Sequence, residues 1–255
     1  MRGKNNETPL SRRSVLGRAA VGAAASAAGM LGSNALAAPA LGPSQAAPPT
    51  LTPEQVLSQL KQGNAAFLQG RPIAGDIRGR RRLEIARAQY PIAVLVSCSD
   101  SRVPPEVLFG KGLGELFIIR NAGNTIDTAA MGSLEYAVAE LNVPLVVVMG
   151  HERCGAVAAA VAVVEKGATF PGSIGRMVEP IVPAVLDARR QGAGDLLDAS
   201  VRNNVSRTVG RLRDFSEPMI LERIRSGRLR VVGARYDLDD GRVDFFDEGP
   251  IRKRS

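Results

Sequence analysis

A chain of 255 residues with 45% hydrophobic content is long enough to bury one sizeable core, and its composition excludes a disordered, repetitive or fibrous protein. The formal charge of +8 is unevenly placed: Arg2, Lys4, Arg12, Arg13 and Arg18 against Glu7 give the first 37 residues +4, which leaves +4 for the rest. That mild excess, with no aromatic residues among Arg78, Arg80, Arg81 and Arg82, argues against nucleic acid as a partner and for a solvated helix face or a subunit contact.

The first 37 residues read as a signal peptide in three parts: a charged start with Ser11-Arg12-Arg13-Ser14-Val15-Leu16, an Ala/Gly-rich apolar run from Ala19 to Leu31, and Ala35-Leu36-Ala37 before Ala38-Pro39. The paired arginines mark a substrate of the twin-arginine translocase and predict a periplasmic or other extracytoplasmic location. The apolar run is shorter than the roughly 20 residues that cross a bilayer, so no stable membrane insertion is expected after cleavage behind Ala37. Residues 38–50 form an Ala/Pro-rich linker, residues 51–250 a single domain, and 251–255 a basic tail.

In chain order, Thr52-Pro53-Glu54-Gln55 opens a helix with a capping box, and Gly70 followed by Pro72 closes it. Pro91-Ile-Ala-Val-Leu-Val-Ser97 is a continuous apolar run, the pattern of a parallel strand covered on both faces, and it stops at Cys98-Ser-Asp100-Ser-Arg102. A short helix near 104–106, a second strand at 116–119, a polar glycine-containing loop at 120–124 and a helix over 128–141 follow. Pro144–Met149 repeats the apolar run and leads into Gly150-His151-Glu152-Arg153-Cys154-Gly155. Small residues near 155–165 predict a helix packed closely on the sheet. A helical insert carries Ile181, Val185, Val201, Val205, Val209 and Leu212 at helical spacing. Residues 229–236 form a strand that turns at Asp239-Asp240-Gly241 into 243–246, an edge hairpin. The fold class is α/β, a mainly parallel sheet flanked by helices.

Open α/β sheets carry their sites where parallel strands end. Two such ends hold the only two cysteines and the only histidine of the chain, Cys98 on one and His151 with Cys154 on the other. Two thiolates and an imidazole suit zinc, and three protein ligands leave a fourth position open, as in catalytic sites. His151 and Cys154 are expected three apart on a helix start, facing one way, with the helix N-terminus favouring thiolate at Cys154. A Cys98–Cys154 disulfide is the other reading of the same pair.

Cys98-Ser-Asp-Ser-Arg102 together with His151-x-x-Cys154-Gly155 resembles the β-class carbonic anhydrases, and the likeness runs from the 52–70 helix to the 229–246 hairpin. Arg120-Asn-Ala-Gly-Asn124 and Gly132-Ser-Leu-Glu-Tyr136-Ala137 resemble further signatures of that family. The resemblance implies Zn2+ on Cys98, His151 and Cys154, one ion per subunit, and a zinc-bound hydroxide that converts CO2 to bicarbonate. It implies that Asp100 pairs with Arg102 and orients the hydroxide, with Asp100 able to swing onto the metal in a closed form. It places Gln89 and Gly155 at bound bicarbonate and Phe117 and Tyr136 as pocket walls near a dimer interface. A homodimer or tetramer is implied, with the first helix lying across the neighbour. Leu95 and Ser97 stand where members with a bicarbonate-closed form carry Trp and Gly, so that form of inhibition is not expected. Two alternatives share the fold: hydrolysis of CS2 or COS, and a non-catalytic zinc protein in which Asp100 would be a permanent fourth ligand.

Overall fold

The structure is a computed structural model, and it describes residues 51–71, 74–214 and 217–249. The expected signal peptide, the linker and the basic tail lie outside the described residues.

Helix α1 spans Pro53–Leu68, and its start is the expected capping box: the Gln55 N–H donates to Thr52 Oγ1 at 3.2 Å, and the Thr52 N–H donates to Gln55 Oε1 at 2.8 Å. A six-residue helix α2 (Gly79–Glu84) buries none of its side chains, and Arg80 and Arg81 pair with Glu84, as a solvated face should. Then come β1 (Ala93–Cys98), α3 (Pro105–Leu108), β2 (Leu116–Asn121), α4 (Thr128–Ala139), β3 (Leu145–His151) and α5 (Gly155–Lys166). The insert comprises α6 (Gly172–Val178), a 3₁₀ turn (Glu179–Ile181), α7 (Val182–Arg190), α8 (Leu196–Asp214) and α9 (Pro218–Arg225). The chain closes with β4 (Arg230–Tyr236) and β5 (Val243–Asp247). Helix α9 was not distinguished from the rest of the insert in the sequence.

The sheet order is β2-β1-β3-β4-β5, parallel except for β5, which runs antiparallel to β4 at the edge. Every residue of β1 and β3 is buried, which is why both read as unbroken apolar runs. Their side chains alternate between two cores. Val94, Val96, Val146 and Val148 meet Leu134 and Ala137 of α4, Val205, Val209 and Leu212 of α8 and Ile220 of α9. Leu95, Leu145, Val147 and Met149 meet Val56, Leu57 and Leu60 of α1 and Leu108 of α3. With helices on both faces, Cys98 and His151 stand at the carboxyl ends of the central strands.

Candidate metal centre

β1 and β3 are hydrogen-bonded neighbours, with Ser97 in register with Met149, so the 52 residues between Cys98 and His151 return the two to adjacent strand ends. The ligand atoms of Cys98, His151 and Cys154 all lie within 4.8 Å of one another, and all three side chains are buried. The sulfurs are 3.9 Å apart and both cysteines are free thiols, so the structure shows a ligand set and not the disulfide.

His151 and Cys154 do not share a helix face. His151 is the last residue of β3, and Cys154 is the N-cap of α5. Between them Arg153 takes φ +52°, a left-handed turn that brings the two side chains back to one point. The Arg153 guanidinium holds this turn by donating to both carboxylate oxygens of Asp239, at 2.9 and 2.6 Å. Asp239 belongs to the turn between β4 and β5. The sequence spacing of three was right for the metal and wrong for the local geometry, because helix periodicity and a tight turn both return a side chain after three residues.

His151 has one defined role for each ring nitrogen. Nδ1 lies 2.9 Å from the Glu152 carbonyl oxygen and donates to it, while Nε2 is fully buried with no hydrogen-bond partner among the described residues. An orphaned, buried nitrogen pointing at two thiols fits a metal ligand, and the carbonyl fixes the tautomer that leaves its lone pair available. The amides of Val157 and Ala156 at the start of α5 favour thiolate at Cys154, but the two thiols titrate as a pair. Cys98 is drawn down to about 4, first by its contact with Cys154 and then, against the cost of burial, by His151 and the Gly123 N–H. Cys154 is pushed up by Cys98 and by burial, and these outweigh the amides of Val157 and Ala156. Two sulfurs this close share one negative charge until a cation compensates a second, which is the linkage expected of a metal site.

Asp100 sits beside the ligands without joining them. The Arg102 guanidinium donates from Nε to Oδ1 at 2.9 Å and from Nη2 to Oδ2 at 2.7 Å, and the Arg102 N–H donates to Oδ1 at 3.0 Å. Oδ2 is also 3.8 Å from His151 Nε2. The Arg102 side chain, opposed by partial burial and helped by its backbone N–H, holds the Asp100 carboxyl well below the usual carboxylate range. Two groups absent from the sequence reading complete the site. Arg120 donates to the carbonyls of Cys98 and Asp100 at 2.8 and 2.7 Å, and the Gly123 N–H donates to Cys98 Sγ at 3.3 Å. Both lie in 120–124, which in sequence reads as a polar loop and resembles a family signature without giving either residue a role.

The remaining expected residues are placed as follows. Gln89 is exposed, on the stretch between α2 and β1, and Gly155 is the exposed first residue of α5. Phe117 on β2 and Tyr136 on α4 are half-buried and tilted against each other, ring centroids 6.4 Å apart, at the margin of the core that lies under the sheet edge.

A family model described as carbonic anhydrase matches residues 93–243. Carbonic anhydrase 2 of Mycobacterium tuberculosis is 46% identical over 189 residues, covering 74% of this chain and 90% of the relative. The carbonic anhydrase of Mycolicibacterium smegmatis is 40% identical over 186 residues, 73% of this chain and 89% of the relative. Among solved structures, the β-carbonic anhydrase CafA of Aspergillus fumigatus aligns with TM-score 0.61 and 26% identity over 77% of this chain and 91% of the other. One of two tetrameric β-carbonic anhydrases of Sordaria macrospora aligns with TM-score 0.59 and 26% identity over 66% of this chain and 90% of the other. The chain belongs to the β-class carbonic anhydrases.

β-Carbonic anhydrases are lyases of the carbonate dehydratase type with zinc as cofactor, and this chain is one of them. Its donor set agrees with that chemistry: two sulfurs and one imidazole nitrogen, soft-to-borderline ligands converging from two strand ends. The thiols are set in an apolar pocket formed by Val157 and Ala160 of α5, Val185 of α7 and Val201 of α8, with Ile181 of the 3₁₀ turn. Low polarity there strengthens each metal–ligand interaction and excludes competing water.

Proposed function

We propose that Asp100 and Arg102 are the catalytic pair of this β-carbonic anhydrase, and that Cys98, His151 and Cys154 hold the zinc. One observation carries the reading: the Asp100 carboxylate is clamped by Arg102 next to His151 Nε2 yet outside the three-ligand group, so it would stand beside a bound zinc without being one of its ligands. Zinc supplies Lewis acidity, which makes water nucleophilic near neutral pH. Asp100 would accept a hydrogen bond from water held there and so orient it toward the carbon of CO2. Arg102 keeps Asp100 ionised and stops it rotating onto the ligand cluster. Attack on the carbon gives bicarbonate, and a proton must leave. His151 is the only histidine and serves as a ligand, so the proton passes to dissolved buffer. Stopped-flow CO2 hydration tests this: turnover rises with buffer concentration at fixed pH, and a buffer-independent rate would contradict the scheme.

Gln89 and Gly155 are assigned to bicarbonate, and Phe117 and Tyr136 to the wall of the pocket at a subunit boundary. Exposed Ile77 (64%) and Leu83 (71%), flanking and within α2, are apolar surface that an assembled dimer or tetramer would cover. Sedimentation velocity of the mature chain decides this, and a monomer at micromolar concentration would overturn it. Ser11-Arg12-Arg13 and the apolar run behind it support export through the twin-arginine translocase to the periplasm. Fractionation of cells expressing the full chain and its double Lys variant at Arg12 and Arg13 tests that assignment. Among the described residues no helix is long and apolar enough to cross a membrane.

A further inference from the structure

Helix α8 approaches the sheet more closely than most side chains would permit. A Cβ on Gly150 of β3 would lie 2.9 Å from methyls of both Val201 and Val205, and a Cβ on Gly233 of β4 would lie 2.9 Å from Val205. These contacts are far inside normal packing distance, so the two glycines are what let α8 settle on the strands. The descent carries Asn204, only 3% exposed, to the loop after β2. There its Nδ2 donates to the Gly123 carbonyl at 2.8 Å. Gly123 has φ +81°, and a Cβ on it would lie 2.6 Å from Ile181, so its orientation is tightly set. The N–H of the same residue donates to Cys98 Sγ at 3.3 Å.

We propose that Asn204 is a positioning residue for the metal centre: by fixing the Gly123 carbonyl it aims the Gly123 N–H at the Cys98 sulfur and so tunes how strongly that thiolate donates to zinc. The inference rests on the zinc site described above and assigns to it a residue 106 positions from Cys98, on an element that contributes no ligand. An N–H···S hydrogen bond withdraws charge from sulfur, leaving the metal the stronger Lewis acid. A helix in the insert thereby sets the metal's electronics without touching it. Asn203, the adjacent residue, makes a contrasting set of bonds, donating to the Ala184 carbonyl and to Gln191 Oε1 within the insert.

The test uses the whole enzyme with Co2+ or 113Cd2+ exchanged for zinc. In the wild type, NMR should show a scalar coupling between the Gly123 amide proton and cadmium, transmitted through the hydrogen bond. Asn204→Leu and Asn204→Asp should move the sulfur-to-cobalt charge-transfer band to lower energy, with Asp, which sets a carboxylate against the carbonyl, moving it further. Both should also lose zinc to a chelator about tenfold faster, because Cys98 is no longer held in place, and this outweighs the stronger donation of its sulfur. Asn203→Ala should leave band and chelation rate unchanged whatever it does to the melting temperature. An unshifted band in folded Asn204 variants, or an equal shift in Asn203→Ala, would overturn the proposal. If the Asn204 variants do not fold, the wild-type cadmium coupling decides alone, and its absence is fatal. Failure of the wild type to take up one ion per chain would overturn the zinc site, and this inference with it.

Discussion

Among the described residues the same three-residue device occurs twice, once at Asp76-Ile77-Arg78 and once at Asp100-Ser101-Arg102. In each, the Arg N–H and Nε donate to Oδ1 of the aspartate two residues earlier, and Nη2 donates to Oδ2. The distances are 2.9, 2.9 and 2.8 Å in the first and 3.0, 2.9 and 2.7 Å in the second. Both carboxyls are held well below their ordinary range, in each case chiefly by the arginine side chain. The clasp is therefore not peculiar to the metal centre, and it is not automatic either: Asp240-Gly241-Arg242 makes the backbone bond at 2.8 Å but leaves Arg242 Nε 3.6 Å from Asp240 Oδ2. The second differs in its surroundings: its carboxylate is 18% exposed against 33%, and it faces His151 Nε2 at 3.8 Å. Its backbone is also gripped from β2 by Arg120. Location at a strand end sets one copy beside the ligand cluster, where we propose that it is catalytic, and leaves the other a turn staple.

That contrast can be broken or sharpened by substitution. The largest effect is expected where no second copy exists: Cys98→Ala should lose zinc and take CO2 hydration to the background rate, read by metal analysis and stopped flow on one sample. Asp100→Asn should retain zinc and lose activity by about a hundredfold or more, the scale of a positioned proton acceptor. Arg102→Lys should cost roughly tenfold with zinc retained, because an ammonium cannot reproduce the two-pronged grip. Asp76→Asn should leave the hydration rate within about twofold of wild type, and a larger loss would show that the outer copy also serves the site.

Acid separates the copies from the metal chemistry. Asp100 has a depressed folded-state value, so its pairing contributes stability that is fully present above the unfolded value of about 3.9 and is lost as pH falls through the folded value. Wild type should therefore melt above Asp100→Asn at pH 7, with the gap closing below about pH 3. The difference should stay under about 1 kcal/mol, since the Arg102 side chain is half exposed. A gap that closes between pH 5 and 7 would show that a different group is titrating.

Much of the fold was legible because its signals are local. The runs 92–97 and 144–149 had to be doubly covered strands, Thr52 with Gln55 had to start a helix, and the turn at 239–241 had to reverse the chain. The ligand set was legible because the chain has two cysteines and one histidine, so any soft-metal site among them has one composition. The left-handed conformation of Arg153 was not, since arginine carries no propensity for it and the Asp239 carboxylate that holds it lies 86 residues away. Nor was the part played by Asn204, which in sequence is one polar residue of an amphipathic helix. By itself the sequence determined the elements, the donor atoms and the order in which the strands deliver them, because periodicity, capping and ligand chemistry are written in neighbouring residues. Only the tertiary structure decided which Asp-x-Arg faces the metal, which backbone amide reaches its sulfur and which distant helix holds that amide. Those choices depend on distances of a few ångströms between segments that no local pattern relates.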